Sequence, residues 1–235
     1  SLRVTTSSQH TMFSKIKKPA NVLLGRAGWE LRRRSSQHVT PITAEWLGNF
    51  LYYSRMYDRI RNIPGAIVEC GVGRGRTFLF LAFLVEEEGQ GRELWGFDSF
   101  AGFPKPTPED QSVRNPQEGE KPADREMILW MLRDAGLKPE FIQNQVKLIP
   151  GFFETSLTAY RGRDIALLHA DVDLYRSYRE VLGTLYPRVT NGGVVLFDEY
   201  HDPAFPGATK AVDEYFSGKN VRIERHRLSR KYYLI

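Results

Sequence analysis

The run Ala66–Gly75, AIVECGVGRG, constrains the fold of this chain more than any other stretch. A short, mostly apolar segment leads directly into three glycines set two apart: Gly71, Gly73 and Gly75. A buried strand that enters such a turn and leaves it as a helix is the opening unit of a doubly wound α/β sheet. Glycines there permit positive φ and let a ligand approach the backbone closely. The helix that follows, Thr77–Glu88, offers its unpaired N–H groups at the same point.

The alternation continues along the chain. Helices are predicted at Thr43–Arg61, Arg125–Ala135, Tyr175–Tyr186 and Ala208–Phe216. Strands are predicted at Ala66–Cys70, Glu93–Phe97, Gln145–Ile149, Ile165–Ala170 and Gly193–Phe197. That order favours a parallel sheet with crossover helices on both faces. Val221–Arg227 and Lys231–Ile235, on either side of Ser229, read as a closing hairpin. Ala101–Asp124 is rich in Pro, Glu and Gln and has almost no apolar periodicity. A stretch of that length inside a compact domain is expected to be a mobile lid.

A length of 235 residues suits one α/β domain with an extension. No apolar run is long enough to cross a membrane, and the polar N-terminus lacks the apolar core of a secretory signal. Cys70 is the single cysteine, which excludes an intrachain disulfide and a cysteine-rich zinc site. A reducing cytoplasm is the expected compartment. Eight Lys/Arg residues precede Ser35 against Glu30 alone, although the net charge of the whole chain is only +5. Residues 1–42 are therefore read as a basic arm and 43–235 as the functional domain. The arm is expected to be solvated. No nucleic-acid or membrane partner is expected, and homo-oligomerisation is left open.

A dinucleotide-binding fingerprint requires a third glycine where this chain has Arg76. The spacing instead fits acid-x-G-x-G-x-G, the form that binds S-adenosylmethionine. In that reading Glu69 organises the amino group of the methionine moiety, beside Gly71, Gly73 and Gly75. Asp98 ends the next strand, with Ser99 and Phe100 beside it, and is placed to accept both ribose hydroxyls. A second group of acids ends the two following strands: Asp171 and Asp173 in His169–Ala170–Asp171–Val172–Asp173, then Asp198–Glu199. Carboxylates converging in one crevice repel each other unless protons or a cation intervene, and hard oxygen donors suit Mg²⁺ or Mn²⁺. The competing reading makes some of them helix caps, or ion-pair partners of Arg176 or Arg179.

Several ordered motifs resemble one family. They are Asp98–Ser99–Phe100–Ala101–Gly102–Phe103–Pro104, Asp171–Val172–Asp173–Leu174–Tyr175–Arg176–Ser177, Leu185–Tyr186–Pro187, Gly192–Gly193, Asp198–Glu199–Tyr200 and Ala211–Val212–Asp213–Glu214–Tyr215. Together they resemble the macrocin O-methyltransferases, which methylate sugar hydroxyls of natural products. The resemblance covers residues 45 to 216. It implies a seven-stranded Rossmann-like methyltransferase sheet, a small-molecule hydroxyl acceptor and a Mg²⁺-dependent transfer with Asp171, Asp198 and Glu199 as metal ligands. Two positions depart from the family: Glu199 replaces a common Asp, and no tryptophan precedes Arg74. For the proton-accepting base, Asp171 and His201 are the candidates. An NAD-dependent oxidoreductase and a non-catalytic binding module with a basic arm are the alternatives.

Overall fold

The computed structural model describes residues 43–162, 164–227, 229 and 231–235. The basic arm, 1–42, lies outside them. Chain order is α1 (Ala44–Arg59), β1 (Ala66–Cys70), α2 (Arg76–Glu88), β2 (Leu94–Asp98), α3 (Arg125–Asp134), α4 (Pro139–Gln145) and β3 (Val146–Pro150). Then come α5 (Phe153–Ser156), β4 (Ile165–Ala170), α6 (Tyr175–Leu185), β5 (Val189–Phe197), α7 (Pro206–Phe216), β6 (Glu224–Arg225) and β7 (Tyr232–Leu234).

The strands form a seven-stranded sheet in the order β3-β2-β1-β4-β5-β7-β6. Strands β1 to β5 pair in parallel, while β7 runs antiparallel to β5 and β6 antiparallel to β7. The expected doubly wound sheet with a terminal hairpin is the observed fold. Among the described residues no helix is long and apolar enough to cross a membrane.

Two apolar layers cover the sheet. Tyr52 and Tyr53 of α1, Phe78 and Leu81 of α2, Ile128 of α3 and Phe141 of α4 pack on one face, against Ile67, Leu167 and Leu196. Tyr178 and Val181 of α6 and Ala208 and Val212 of α7 pack on the other, against Val68, Leu168 and Val195. Successive strand residues alternate between the layers, as period-two side chains require. Strand β1 is buried along its whole length, which is why it reads as a mostly apolar run. Glu69 and His169 are the polar exceptions: side by side in register, both fully buried.

The stretch between Ala101 and Asp124, read as a mobile lid, contains local structure. Pro108–Asp110 forms a 3₁₀ turn closed by a capping box on Thr107. The Asp110 carboxylate is buried and accepts the Tyr175 N–H at 2.7 Å, capping α6 from a distance in sequence. Ser112 donates to the Ala204 carbonyl at 2.8 Å, just ahead of α7. The middle of this segment is therefore fastened to the α6–α7 side of the sheet.

Candidate functional site

The carboxyl ends of β1, β2 and β4 are stitched together. Gly71 donates to the Phe97 carbonyl at 2.8 Å, and Asp171 donates to the Cys70 carbonyl at 3.0 Å. Gly71 has φ +85°, and a Cβ there would lie 1.8 Å from the Asp171 carbonyl oxygen, so only glycine fits. Gly75, at φ +78°, caps α2 and backs onto Ile128 and Met131. Asp98 closes the turn from the side: its Oδ2 accepts the Gly73 N–H and its Oδ1 the Phe100 N–H, both at 2.7 Å. Ser99 Oγ donates to the Gly102 carbonyl at 2.7 Å and thereby shapes the next bend.

Above these strand ends lies a cleft of about 430 Å³. One wall is the glycine turn with Asp98 and Ser99; the other is Asp171, Asp173 and Asp198. Tyr53 from α1, Phe103 and Lys121 from the 101–124 segment, and Lys231 from the terminal hairpin complete it. Such a crevice at the carboxyl edge is where open α/β sheets bind ligands.

The acids form two overlapping sets. Donor atoms of His169, Asp171 and Asp198 lie within 4.8 Å of one another, as do those of Asp171, Asp173 and Glu199. Asp198 Oδ1 meets the Lys231 ammonium and lies 3.8 Å from His169 Nε2. Burial alone would raise the Asp198 pKa, but these two cations hold it well below the ordinary carboxylate range. His169 is buried, which by itself lowers its pKa, yet Asp198 and Glu69 push it up to about 9. Its Nδ1 sits 2.9 Å from Glu69 Oε1. Burial, and then the charge of Asp198, push Asp171 up to about 7. Lys121 Nζ donates to Asp173 Oδ1 at 2.9 Å.

Gly71, Gly73, Asp98, Ser99, Asp171 and Asp198 thus meet in one cleft, as the sequence predicts. Gly75 and Phe100 stand behind it: Gly75 under α2, Phe100 held by Asp98 and packed on the core. Three residues are placed differently. Glu69 is fully buried against His169 and does not line the cleft, and its Oε2 has no hydrogen-bond partner. Glu199 is buried too. It accepts the Tyr178 hydroxyl at 2.8 Å and the Asp173 N–H at 3.2 Å, and burial followed by the charge of Asp171 pushes its pKa well up. His201 is not in this cleft. It is exposed, lines a separate depression with Pro206 and Asp213, and leans on the Tyr200 and Tyr232 rings. Arg176 and Arg179 pair with Glu154 and Glu214 rather than with the acidic cluster.

Sequence reasoning assigned no role to Tyr53, Lys121, His169 or Lys231. The first two come from elements distant in sequence, with no local signal. His169 stands in register with Glu69, and a buried strand that carries one acid and a neighbouring strand that carries one histidine is a legible pairing. Lys231 follows from the hairpin register, since Phe197 pairs with Tyr232 and the next pair outward is Asp198 with Lys231.

Comparison with known proteins agrees with this arrangement. Residues 9–228 match the macrocin O-methyltransferase family model. The chain is 30% identical over 182 residues to mycinamicin III 3''-O-methyltransferase of Micromonospora griseorubida, an alignment covering 69% of this chain and 66% of that one. It is 32% identical over 166 residues to demethyldecarbamoylnovobiocin O-methyltransferase of Streptomyces niveus, covering 66% and 59%. The chain thus spans 58% to 66% of the length of the curated relatives it matches. The solved O-methyltransferase NovP superposes with a TM-score of 0.68 at 27% identity, over 80% of this chain and 79% of that one. Calicheamicin methyltransferase CalS11 shares the fold, with a TM-score of 0.72 at 22% identity over 99% and 94%. With the family match running through both walls of the cleft, the chain belongs to the macrocin O-methyltransferase family.

Proposed function

We propose that this protein transfers the methyl group of S-adenosylmethionine to a hydroxyl of a sugar or related natural product, with a divalent cation at its acidic wall. The observation that carries the reading is the single cleft in which the glycine turn and Asp98 face Asp171 and Asp198. When bound, S-adenosylmethionine supplies an electrophilic methyl carbon for in-line attack, so the work of the protein is chiefly alignment. The Gly71–Gly75 turn offers backbone N–H groups and close approach, and Asp98 is the ribose partner. The 101–124 segment forms a lid at the rim on the acceptor side, with Phe103 and Lys121 facing the cleft. We keep residues 43–235 as the functional domain.

The donor chemistry fits a hard cation: clustered carboxylate oxygens, with Asp171 common to both sets. Asp171 would hold the ion with Asp198 on one side or Glu199 on the other, and a bound ion lowers the pKa of an acceptor hydroxyl. Asp171 is also the assigned base. It reaches the cleft, and takes the proton through a carboxylate oxygen that it does not commit to the ion. His201 loses that assignment because it lies in another depression. Calorimetry should give saturable binding of S-adenosylmethionine and none of NAD. A transfer assay on glycosylated acceptors, with and without EDTA, tests the remainder. Absence of cofactor binding would falsify the enzyme reading, and full turnover in excess EDTA would remove the cation.

A further inference from the structure

We propose that Lys231 is a built-in cation of the acidic cluster, occupying Asp198 so that a divalent ion is held between Asp171 and Asp198 only when its ammonium leaves. The inference rests on the reading of the cluster as a cation site. It starts from the sheet. Val195, Leu196 and Phe197 of β5 pair with Leu234, Tyr233 and Tyr232 of β7, so the antiparallel ladder sets Lys231 opposite Asp198. The backbone of Lys231 is tied down on the other strand of the hairpin, where its carbonyl accepts the His226 N–H at 2.7 Å. Its side chain is only 18% exposed, unusual for a residue that normally keeps its head in water.

The distribution of charge makes the contact consequential. Lys121 serves Asp173 at one end of the cluster and Lys231 serves Asp198 at the other. Asp171 lies between them and has no ion pair among the described residues. Any ion held by Asp171 and Asp198 shares the carboxylate already taken by Lys231. Two positive charges a few ångströms apart in a partly buried site repel strongly. Ammonium and metal are therefore competitors for Asp198, and residue 231 sets how tightly this chain holds a divalent ion.

Mn²⁺ alone, titrated by calorimetry into the complete chain, tests this. Lys231→Met should bind Mn²⁺ at least tenfold more tightly than the unaltered protein, and Lys231→Arg should bind as weakly as the unaltered protein. Asp171→Asn in the Lys231→Met background should abolish the gain. Equal affinity in Lys231→Met and the unaltered protein overturns the role of Lys231 while leaving the cation site standing. No Mn²⁺ binding in either removes the cation site and the proposal together. If Lys231→Met does not fold, the side-chain ammonium resonance of Lys231 in the unaltered protein is followed by NMR. It should shift as Mg²⁺ is added, and a fixed resonance under saturating Mg²⁺ overturns the proposal.

Discussion

Asp98 spends both oxygens on backbone N–H groups, which fixes the orientation of the carboxylate. Removing it costs the turn its shape and, on the proposed reading, the ribose its partner at once. Charge-assisted hydrogen bonds are each worth about 1.5–3 kcal/mol, so Asp98→Ala should weaken S-adenosylmethionine binding by well over ~10-fold. Calorimetry decides, and unchanged affinity places the ribose elsewhere. His169 makes a different kind of statement. Its folded pKa of about 9 lies above the ordinary 6.5, so its stabilising effect is complete below about 6.5 and fades as pH rises through 9. Melting temperature should fall across that window. In His169→Phe, Glu69 keeps its burial and loses its partner, a change that typically costs about 3–5 kcal/mol. A melting temperature equal to that of the unaltered protein would contradict the pairing.

At the level of elements, the buried carboxylate of Asp110 is one of the anchors that hold the 101–124 segment, beside Ser112 and Lys121. Gly207 at the start of α7 leaves room for it, since a Cβ there would sit 2.1 Å from Asp110 Oδ1. Asp110→Ala strips α6 of its cap and should cost about 1–2 kcal/mol, visible as a melting point lowered by a few degrees. Faster hydrogen exchange in 101–124 of that variant should accompany it; unchanged exchange would mean that the anchor lies elsewhere. The absence of apolar periodicity read from this segment is real, but its order comes from polar anchors that periodicity does not register. Helix α4 escaped the sequence for a related reason: it has seven residues, Pro139 near its start, and only Phe141 and Ile142 buried. Strand β4 was fully legible because all six residues are buried and apolar except His169. Strand β5 begins earlier than expected, at Val189, because Gly192–Gly193 resembles a turn yet is carried within the strand. Local composition thus located the glycine turn, Asp98 and the acids. The cations that organise those acids arrive by long-range pairing, and local patterns do not encode it.

For the molecule as a whole, a ligand that binds only the folded state raises its stability by mass action, by about 2.7 kcal/mol at a hundredfold excess over Kd. S-adenosylmethionine should therefore raise the melting temperature while NAD leaves it unchanged; the reverse pattern would favour the oxidoreductase alternative. The tight seat of Gly71 against the Asp171 carbonyl has one more consequence. The glycine turn and the end of β4, which on the proposed reading face the methyl donor and the acceptor, meet with no room for a single methyl group. On that reading a displacement of either moves the other, and the expected outcome is an acceptor affinity that depends on donor occupancy, measurable by calorimetry with and without donor. Whatever factor donor occupancy applies to acceptor affinity, acceptor occupancy must return to the donor, and the seat of Gly71 is where that coupling would pass.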